Sequence, residues 1–240
     1  RFSAGVGGSE EAGVAAPGPP LKKQRTAGSR SRLDAQGWLR FDGTGMDDVG
    51  GQAERPSEIS TSQVAWISCR PAPERLKRRA LGSFDESKYK DTLDTWEKSI
   101  AEKKRVKKSA TVDSICRIAE DEGYTSGKWM LFVAREGVDE VWDKINKATW
   151  NGELGCSAKV SPSEPGGGSH VVCVYTDSCF DKQAVGELLR KLRDLGFNPK
   201  SFKPDVFTML GIDSRNKWRL PPTLYTAKDF PEGQGAEEGD

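Results

Sequence analysis

The clearest pattern of apolar and polar positions lies between residues 127 and 196, where it predicts two strands, each followed by a helix, with a further strand between them. Residues 128–134 place apolar side chains on both alternating faces, which is typical of a strand that is covered on both sides. The next stretch carries one helical stripe, made of Val138, Val141, Trp142, Ile145 and Ala148. We expect this helix to lie on the sheet.

A predicted hairpin and a second helix complete this central block. Cys156, Ala158 and Val160 alternate with polar neighbours, and residues 171–175 are apolar after a loop rich in Pro and Gly, which indicates an antiparallel hairpin. The stripe of the following helix consists of Val185, Leu188, Leu189, Leu192 and Leu195. Gly196 suits the left-handed residue that ends a helix.

The flanking segments predict further strands and helices around this block. Residues 64–69 are interpreted as a strand, whereas residues 85–101 and 111–121 repeat apolar side chains at helical spacing. Residues 201–210 and 218–225 are interpreted as strands, the last one at an edge because of Pro221 and Pro222. Strands and helices do not alternate regularly, so the pattern predicts an α+β fold with a mostly antiparallel sheet and helices on one face.

Composition predicts one folded domain between two tails. The 240 residues are 35% hydrophobic, which suffices for one sizeable core. Residues 1–31 are rich in Gly, Ala, Pro and Ser and predict a disordered tail, and residues 228–240 predict an acidic disordered tail. The domain is therefore expected to span residues 32–227.

Charge and cysteine content restrict the environment of the protein. The 37 basic and 36 acidic side chains nearly balance, so attraction to nucleic acid requires local clustering. No apolar run is long enough for a membrane span, and no signal-peptide core is visible, although the chain does not begin with Met and a removed leader stays open. Five cysteines without a CxxC pair favour a reducing compartment, and the predicted location is the cytoplasm. Residues 21–25, LKKQR, are either a nuclear-import signal or a solvated charge cluster.

Catalytic motifs are poor in this sequence. His170 is the only histidine, and Cys173 would point to the opposite face of the same strand, so the pair does not form a nucleophile site. Gly166 to Gly168 lack the Lys and the helix of a phosphate-binding loop. Asp177, Asp181 and Asp205 lie near strand ends and could hold a metal ion. Capping of the helix that begins near Asp181 is the simpler interpretation. We expect no catalytic residue, no metal site and no cofactor.

Five motifs of the chain resemble one known family, the basophilic leukaemia expressed protein family of eukaryotes, whose function is unknown. They are SGKWM at 126–130, AKVSP at 158–162, VCVYTD at 172–177, KPDVFTMLGI at 203–212 and NKW followed by PTLY within 216–225. The resemblance runs from about Trp38 to Tyr225. It implies a fold similar to that of the mRNA cap-binding translation initiation factor, in which helices back the convex face of a curved antiparallel sheet.

The similarity to the cap-binding factor also implies candidate site residues. Trp96 lies where that factor binds partner proteins, and the candidates for RNA or phosphate contact are Lys128, Lys159, His170, Arg215 and Lys217. Recognition of a methylated cap requires two tryptophans that sandwich the cationic base. Here the predicted helix at 111–121 stands in place of the loop of the second tryptophan, so whether any cap recognition survives stays open.

Three functions are compatible with these observations. The leading hypothesis is a non-catalytic module that binds RNA or a nucleotide-like ligand in the concave face of the sheet. The alternative is a protein-interaction scaffold that presents its helical face to a partner. An enzyme acting on nucleotides or phosphoesters is the weaker third hypothesis. None of the three involves a membrane, and the oligomeric state stays open.

Overall fold

A seven-stranded open sheet forms the centre of the described part of the protein. The computed structural model describes residues 37–41, 55–75, 81–104 and 106–231. Its strands within these ranges are β1 Trp38–Phe41, β2 Trp66–Cys69, β3 Gly127–Ala134, β4 Ser157–Val160, β5 Ser169–Thr176, β6 Ser201–Pro204 and β7 Tyr225–Thr226. They follow the order β1-β2-β4-β5-β3-β6-β7, in which β1 and β2 pair in parallel and all other neighbours are antiparallel. The prediction of a mostly antiparallel α+β fold is thus confirmed.

Five α-helices accompany the sheet in the described ranges. They are α1 Lys90–Ala101, α2 Lys108–Asp121, α3 Val138–Trp150, α4 Lys182–Asp194 and α5 Asp205–Met209. The Asp181 carboxylate caps α4, because it accepts hydrogen bonds from the backbone N–H groups of Gln183 at 2.9 Å and Ala184 at 3.2 Å. Gly196 follows this helix with a φ of 86°, as predicted. None of the helices described is both long enough and apolar enough to cross a bilayer.

The main core lies between the sheet and the helices α3 and α4. Trp129 and Leu131 of β3 pair with Val174 and Val172 of β5, and all four are buried in this core. The stripes of α3 and α4 pack against them, and the indole N–H of Trp129 donates to the carbonyl of Val185 in α4 at 3.0 Å. Successive side chains of a strand point to opposite faces, so the other residues of β3 and β5 face away from these helices.

The side of the sheet away from α3 and α4 is called the open face here. It carries Trp38, Trp66, Ser68, Lys128, Met130, Phe132, Lys159, Cys173, Tyr175 and Lys203. Phe132 is 73% exposed, which shows that the described residues leave this part of the face uncovered.

A second core lies among α1, α2 and α5. Its fully buried residues include Ile115 of α2, Phe207 of α5 and Ile212. Residues 201–210, which were predicted as one strand, supply part of it. The strand ends at Pro204, which has no N–H for the ladder, and α5 then turns Val206 and Phe207 into the second core. The prediction of a single strand there was wrong.

The last predicted strand is also much shorter than the apolar pattern indicated. Of residues 218–225, only Tyr225 pairs in the sheet, opposite Phe202 at the outer edge. The preceding segment is closed by the Asn216 side chain, whose amide donates to the carbonyl of Leu220 at 2.9 Å and accepts from the N–H of Leu220 at 3.1 Å. A turn held in this way replaces ladder hydrogen bonds.

The folded part extends further towards the C-terminus than composition predicted. A short 3₁₀ turn at Ala227–Asp229 leads to Phe230, although composition assigned the residues from 228 onwards to the acidic tail. The Phe230 ring packs edge-on against Trp129 and Tyr225, with ring centroids 5.9 and 5.7 Å apart. The predicted tail at 1–31, the start of the domain at 32–36 and residues 232–240 lie outside the described residues.

We predict that Trp142→Ala lowers the free energy of unfolding by about 3–5 kcal/mol, the usual cost of deleting a large buried aromatic side chain. Trp142 of α3 has no exposed surface and packs in the main core. Phe132→Ala on the open face is the matched control and should cost less than about 0.5 kcal/mol. Urea unfolding measures both changes, and a small effect at Trp142 would contradict the packing of α3.

We also predict that alkaline pH destabilises the fold partly through Cys69. Burial raises the pKa of the Cys69 thiol to about 12 from its ordinary value of 9.0. The raised pKa stabilises the folded protein fully below pH 9, and this contribution is lost as the pH rises towards 12, because only the unfolded chain then releases the proton.

Cys69→Val removes the ionisable group and nearly keeps the volume. Between pH 9.5 and 11, the unfolding free energy of the parent protein should fall more steeply than that of the variant, by about 1 kcal/mol per pH unit. Urea midpoints across this range measure the two slopes. Equal slopes would show that Cys69 ionises as easily in the folded protein as in the unfolded chain.

Candidate functional site

Lys159 occupies the middle of the open face because of the alternation along β4. Its neighbours Ala158 and Val160 are buried in the main core, so the Lys159 side chain points to the other side of the sheet. There it lies between Ser68 of β2 and Cys173 of β5, its partners in the ladders on either side. Both partners are buried, and the stem of Lys159 is therefore enclosed along the sheet.

Three aromatic rings surround the ammonium group of Lys159, and they are called the aromatic cage here. The Nζ atom lies 3.7 Å from the ring centroid of Trp66, 5.1 Å from that of Trp38 and 5.9 Å from that of Tyr175. The parallel pairing of β1 and β2 sets Trp38 beside Trp66, with ring centroids 6.4 Å apart and planes inclined by 53°. All three distances fall within the range in which a ring face attracts a cation.

The Lys159 ammonium group is largely removed from solvent, and no described carboxylate pairs with it. Desolvation by burial lowers the pKa of its ammonium group, and the nearby positive charge of Lys128 acts in the same direction. Burial raises the pKa values of the Cys173 thiol and the Tyr175 hydroxyl, so both stay protonated and neutral near pH 7. Among the described residues, no carboxylate oxygen lies within 4 Å of the Lys159 ammonium group. The aromatic cage is therefore its closest compensation.

Lys128, the first predicted phosphate contact, is buried and paired. Its ammonium group forms an ion pair with the Asp205 carboxylate of α5 and donates a hydrogen bond to the Thr208 hydroxyl at 2.9 Å. The same carboxylate accepts a hydrogen bond from the Ser126 hydroxyl at 2.6 Å. The structure places Lys128 on the open face, as expected, but its charge is already matched inside the protein.

Lys203 extends the row of lysines on the open face. It pairs with Lys128 across the ladder of β3 and β6 and is half-buried. Burial lowers the pKa of its ammonium group, Lys128 adds to this effect, and the Asp213 carboxylate partly offsets it. Phe132 and Met130 prolong the same face as an apolar surface.

Arg215 and Lys217 lie together in a separate basic loop. With Arg219 they line a shallow hollow of about 560 Å³, whose other walls are Ser214, Asn216 and Leu220. The Lys217 ammonium group is 2.8 Å from the Glu97 carboxylate of α1. The structure thus brings Lys128 and Lys159 together on the sheet, and it places Arg215 and Lys217 beside the second core.

His170 points into the helix-covered side of the sheet. It pairs with Val133 across β3 and β5 and is 3% exposed. Its Nδ1 atom is 2.7 Å from the carbonyl oxygen of Ser161, to which it must donate, and its Nε2 atom is 3.5 Å from the Ser163 hydroxyl. Lys159 pairs with Cys173 of β5, and His170 lies three positions before Cys173 on the same strand. Successive side chains of a strand alternate between the two faces, so His170 does not share the open face with Lys159.

Trp96, the candidate for partner binding, is part of the second core. It is 5% exposed, and its indole N–H donates to the carbonyl of Trp218 at 2.9 Å. Its edge contributes to a groove of about 370 Å³ between α1 and α2, which Thr92, Val106 and Ala110 also line. Any partner in this groove would contact only a small part of the Trp96 ring.

The described residues contain no group of three or more His, Cys, Asp or Glu side chains that could hold a metal ion. The five cysteines are free thiols. Burial raises the pKa of the Cys116 thiol to about 12 and that of the Cys156 thiol to about 11, so these groups are poor nucleophiles near neutral pH.

The sequence interpretation did not identify the three cage rings or Lys203 as site residues. The alternation in β2 would have placed Trp66 opposite the buried Ile67 and Cys69. No local pattern in the sequence, however, indicates that the strands of Trp38 and Tyr175 lie on either side of Lys159.

A comparison with known protein families identifies the family to which the chain is similar. Residues 65–211, more than half of the chain, match the family described as basophilic leukemia-expressed protein Bles03. The matched segment begins just before β2 and ends just after α5, so it includes Trp66, Lys128, Lys159, Tyr175 and Lys203.

We predict that Lys128→Met lowers the free energy of unfolding by about 3 kcal/mol, because the Asp205 carboxylate would lose its buried partner. Lys144→Met on α3 is the matched control. Its ion pair with Glu140 is exposed, so the loss should stay below about 0.5 kcal/mol. Urea unfolding of both variants tests this, and adding Asp205→Asn to Lys128→Met should recover part of the loss. Equal costs for the two lysines would contradict a structural role of the Lys128 pair.

Proposed function

Because the chain belongs to the basophilic leukemia-expressed protein Bles03 family, whose description names no activity, its function must be argued from its own surfaces. We propose that it is a non-catalytic module that binds RNA or a nucleotide-like ligand on the open face. The predicted likeness to the cap-binding factor agrees with this proposal, but the proposal does not depend on it.

The observation that carries the proposal is the combination of aromatic rings and lysines on the open face of the sheet. Trp38, Trp66 and Phe132 are partly or largely exposed there. Lys159 of β4 lies between the two tryptophans and Phe132 in the order of strands, and Lys203 of β6 lies beyond Phe132. Proteins that bind single-stranded nucleic acid stack bases on aromatic side chains and hold the backbone with basic ones. The open face supplies both groups within a few strands.

The basic loop adds a site for phosphate groups next to this face. Its hollow presents Arg215, Lys217 and Arg219, and the described residues offer no carboxylate within 4 Å of either guanidinium group. Asp213, at the start of this segment, acts electrostatically on Lys203 of β6, so the loop borders the open face. A ligand that stacks on the sheet would then extend its phosphates towards the loop.

A protein-interaction scaffold is the second candidate, and the groove between α1 and α2 favours it. Val106, which lines the groove, is 44% exposed. Partly exposed apolar side chains beside a groove are typical of sites that accept a peptide or a helix. Binding there would depend little on salt, in contrast to binding of RNA.

We predict that changing Arg215, Lys217 and Arg219 together to Gln weakens binding of single-stranded RNA about tenfold at roughly 0.1 M salt. Each lost phosphate contact reduces the slope of log affinity against log salt by about 0.7, so the slope should become shallower by about 2. The loop variant should keep its stability, because the pair of Lys217 with Glu97 is exposed. Fluorescence anisotropy over a salt series measures affinity and slope.

The control variant changes Lys144, Arg190 and Lys191 to Gln and so removes the same number of positive charges from the helices. These three side chains are exposed or nearly so, and each is paired within α3 or α4. Trp66→Ala should weaken binding about tenfold without changing the salt slope, since it removes stacking and no charge. If the parent protein binds no RNA even at low salt, the proposal is rejected and the scaffold becomes the leading candidate.

A further inference from the structure

The aromatic cage on the open face already contains a cation that the chain itself supplies. The Lys159 ammonium group lies against the Trp66 ring at 3.7 Å, with Trp38 and Tyr175 at 5.1 and 5.9 Å. The three rings come from β1, β2 and β5, which flank β4 on both sides. Cages of this kind are the usual way in which proteins bind quaternary ammonium and methylated ammonium groups. Here the same position is filled from within.

We propose that Lys159 closes the aromatic cage to organic cations and thereby restricts the ligands of the open face to neutral rings and anions. The assignment of a ligand class rests on the proposed function, whereas the closure of the cage does not. Lys159 acts in this proposal as the residue that determines specificity.

The electrostatic surroundings of Lys159 explain why a second cation is excluded. A ligand cation in the cage would meet the ammonium group at a few ångströms, and no described carboxylate lies within 4 Å to compensate for both charges. The thiol of Cys173 and the hydroxyl of Tyr175 stay neutral, and the Asp205 carboxylate is engaged by Lys128.

A neutral base or an anion meets the opposite situation. The Trp66 ring, which lies nearest to the ammonium group, is only half-buried, so part of its surface is accessible for stacking. The Lys159 ammonium group is a donor of three hydrogen bonds, and it attracts a phosphate or a carbonyl oxygen. The arrangement that rejects a cation therefore favours a nucleotide whose base carries no positive charge.

Lys159→Ala tests the closure directly, because it leaves the rings and removes the cation. Tetramethylammonium chloride is titrated into both proteins at constant ionic strength, and the indole N–H resonances of Trp38 and Trp66 are followed by NMR. The parent protein should show no saturable shift. The variant should show saturable binding at least about fivefold tighter than any binding by the parent.

Three control variants separate the cage from other effects. Lys159→Arg keeps a cation among the rings and should gain no binding. Lys203→Ala removes a lysine of the same face outside the cage and should also gain none. Adding Trp66→Ala to Lys159→Ala should abolish the gain, since the nearest ring is then missing. If Lys159→Ala fails to fold, as judged by circular dichroism, Lys159→Gln takes its place, because it is neutral and retains a long stem.

The ligand class is tested with GTP and 7-methyl-GTP, which differ by one methyl group and one positive charge on the base. The parent protein should bind the methylated nucleotide no more tightly than GTP, and Lys159→Ala should shift the ratio of affinities towards it about fivefold. If the parent binds neither nucleotide, the proposed function fails, and the tetramethylammonium titration still decides the closure. Tight binding of tetramethylammonium by the parent, or no gain in a folded Lys159→Ala protein, would overturn the inference.

Discussion

The ladder between β3 and β5 is the constraint on which the other features of the structure depend. Its eight consecutive pairs fix for every residue which of two faces its side chain occupies. Trp129 and Leu131 enter the main core under α3 and α4, and Lys128 and Phe132 reach the open face. A shift of one residue in this register would bury the lysine among apolar side chains and expose the tryptophan. Core packing and the composition of the open face are therefore set by the same hydrogen bonds.

Burial of positive charge on the open face is handled in a different way at each lysine. Lys128 forms an internal ion pair with the Asp205 carboxylate, which offsets the free-energy cost of burying its charge. Lys159 has aromatic rings in place of a carboxylate, and Lys203 is half-buried beside Lys128. Only charges that remain unmatched are available to a ligand, since a matched ion pair must be broken before it can serve. For this reason Lys159 and Lys203, and less so Lys128, carry the proposed binding function.

The second core ties the basic loop to the helices. Trp96 of α1 donates a hydrogen bond to the carbonyl of Trp218, and Lys217 pairs with Glu97 one residue further along that helix. The loop at residues 214–220 is thus held from two sides, by these contacts and by the Asn216 side chain. Buried aromatic side chains and a closed turn therefore position the exposed guanidinium groups. Trp96 itself, the candidate for partner binding, is almost fully buried.

Short-range patterns along the chain were sufficient to predict the local elements of the central block. The helices and strands of residues 127–196, the Asp181 cap, the left-handed Gly196 and the α+β class all follow from periods and end signals that act over a few residues. The aromatic cage and the pair of Lys128 with Asp205, 77 residues apart, depend instead on contacts between distant parts of the chain. Alternation states which face a side chain occupies, but not which strand lies beside it, and the order of the strands depends on contacts across the whole domain.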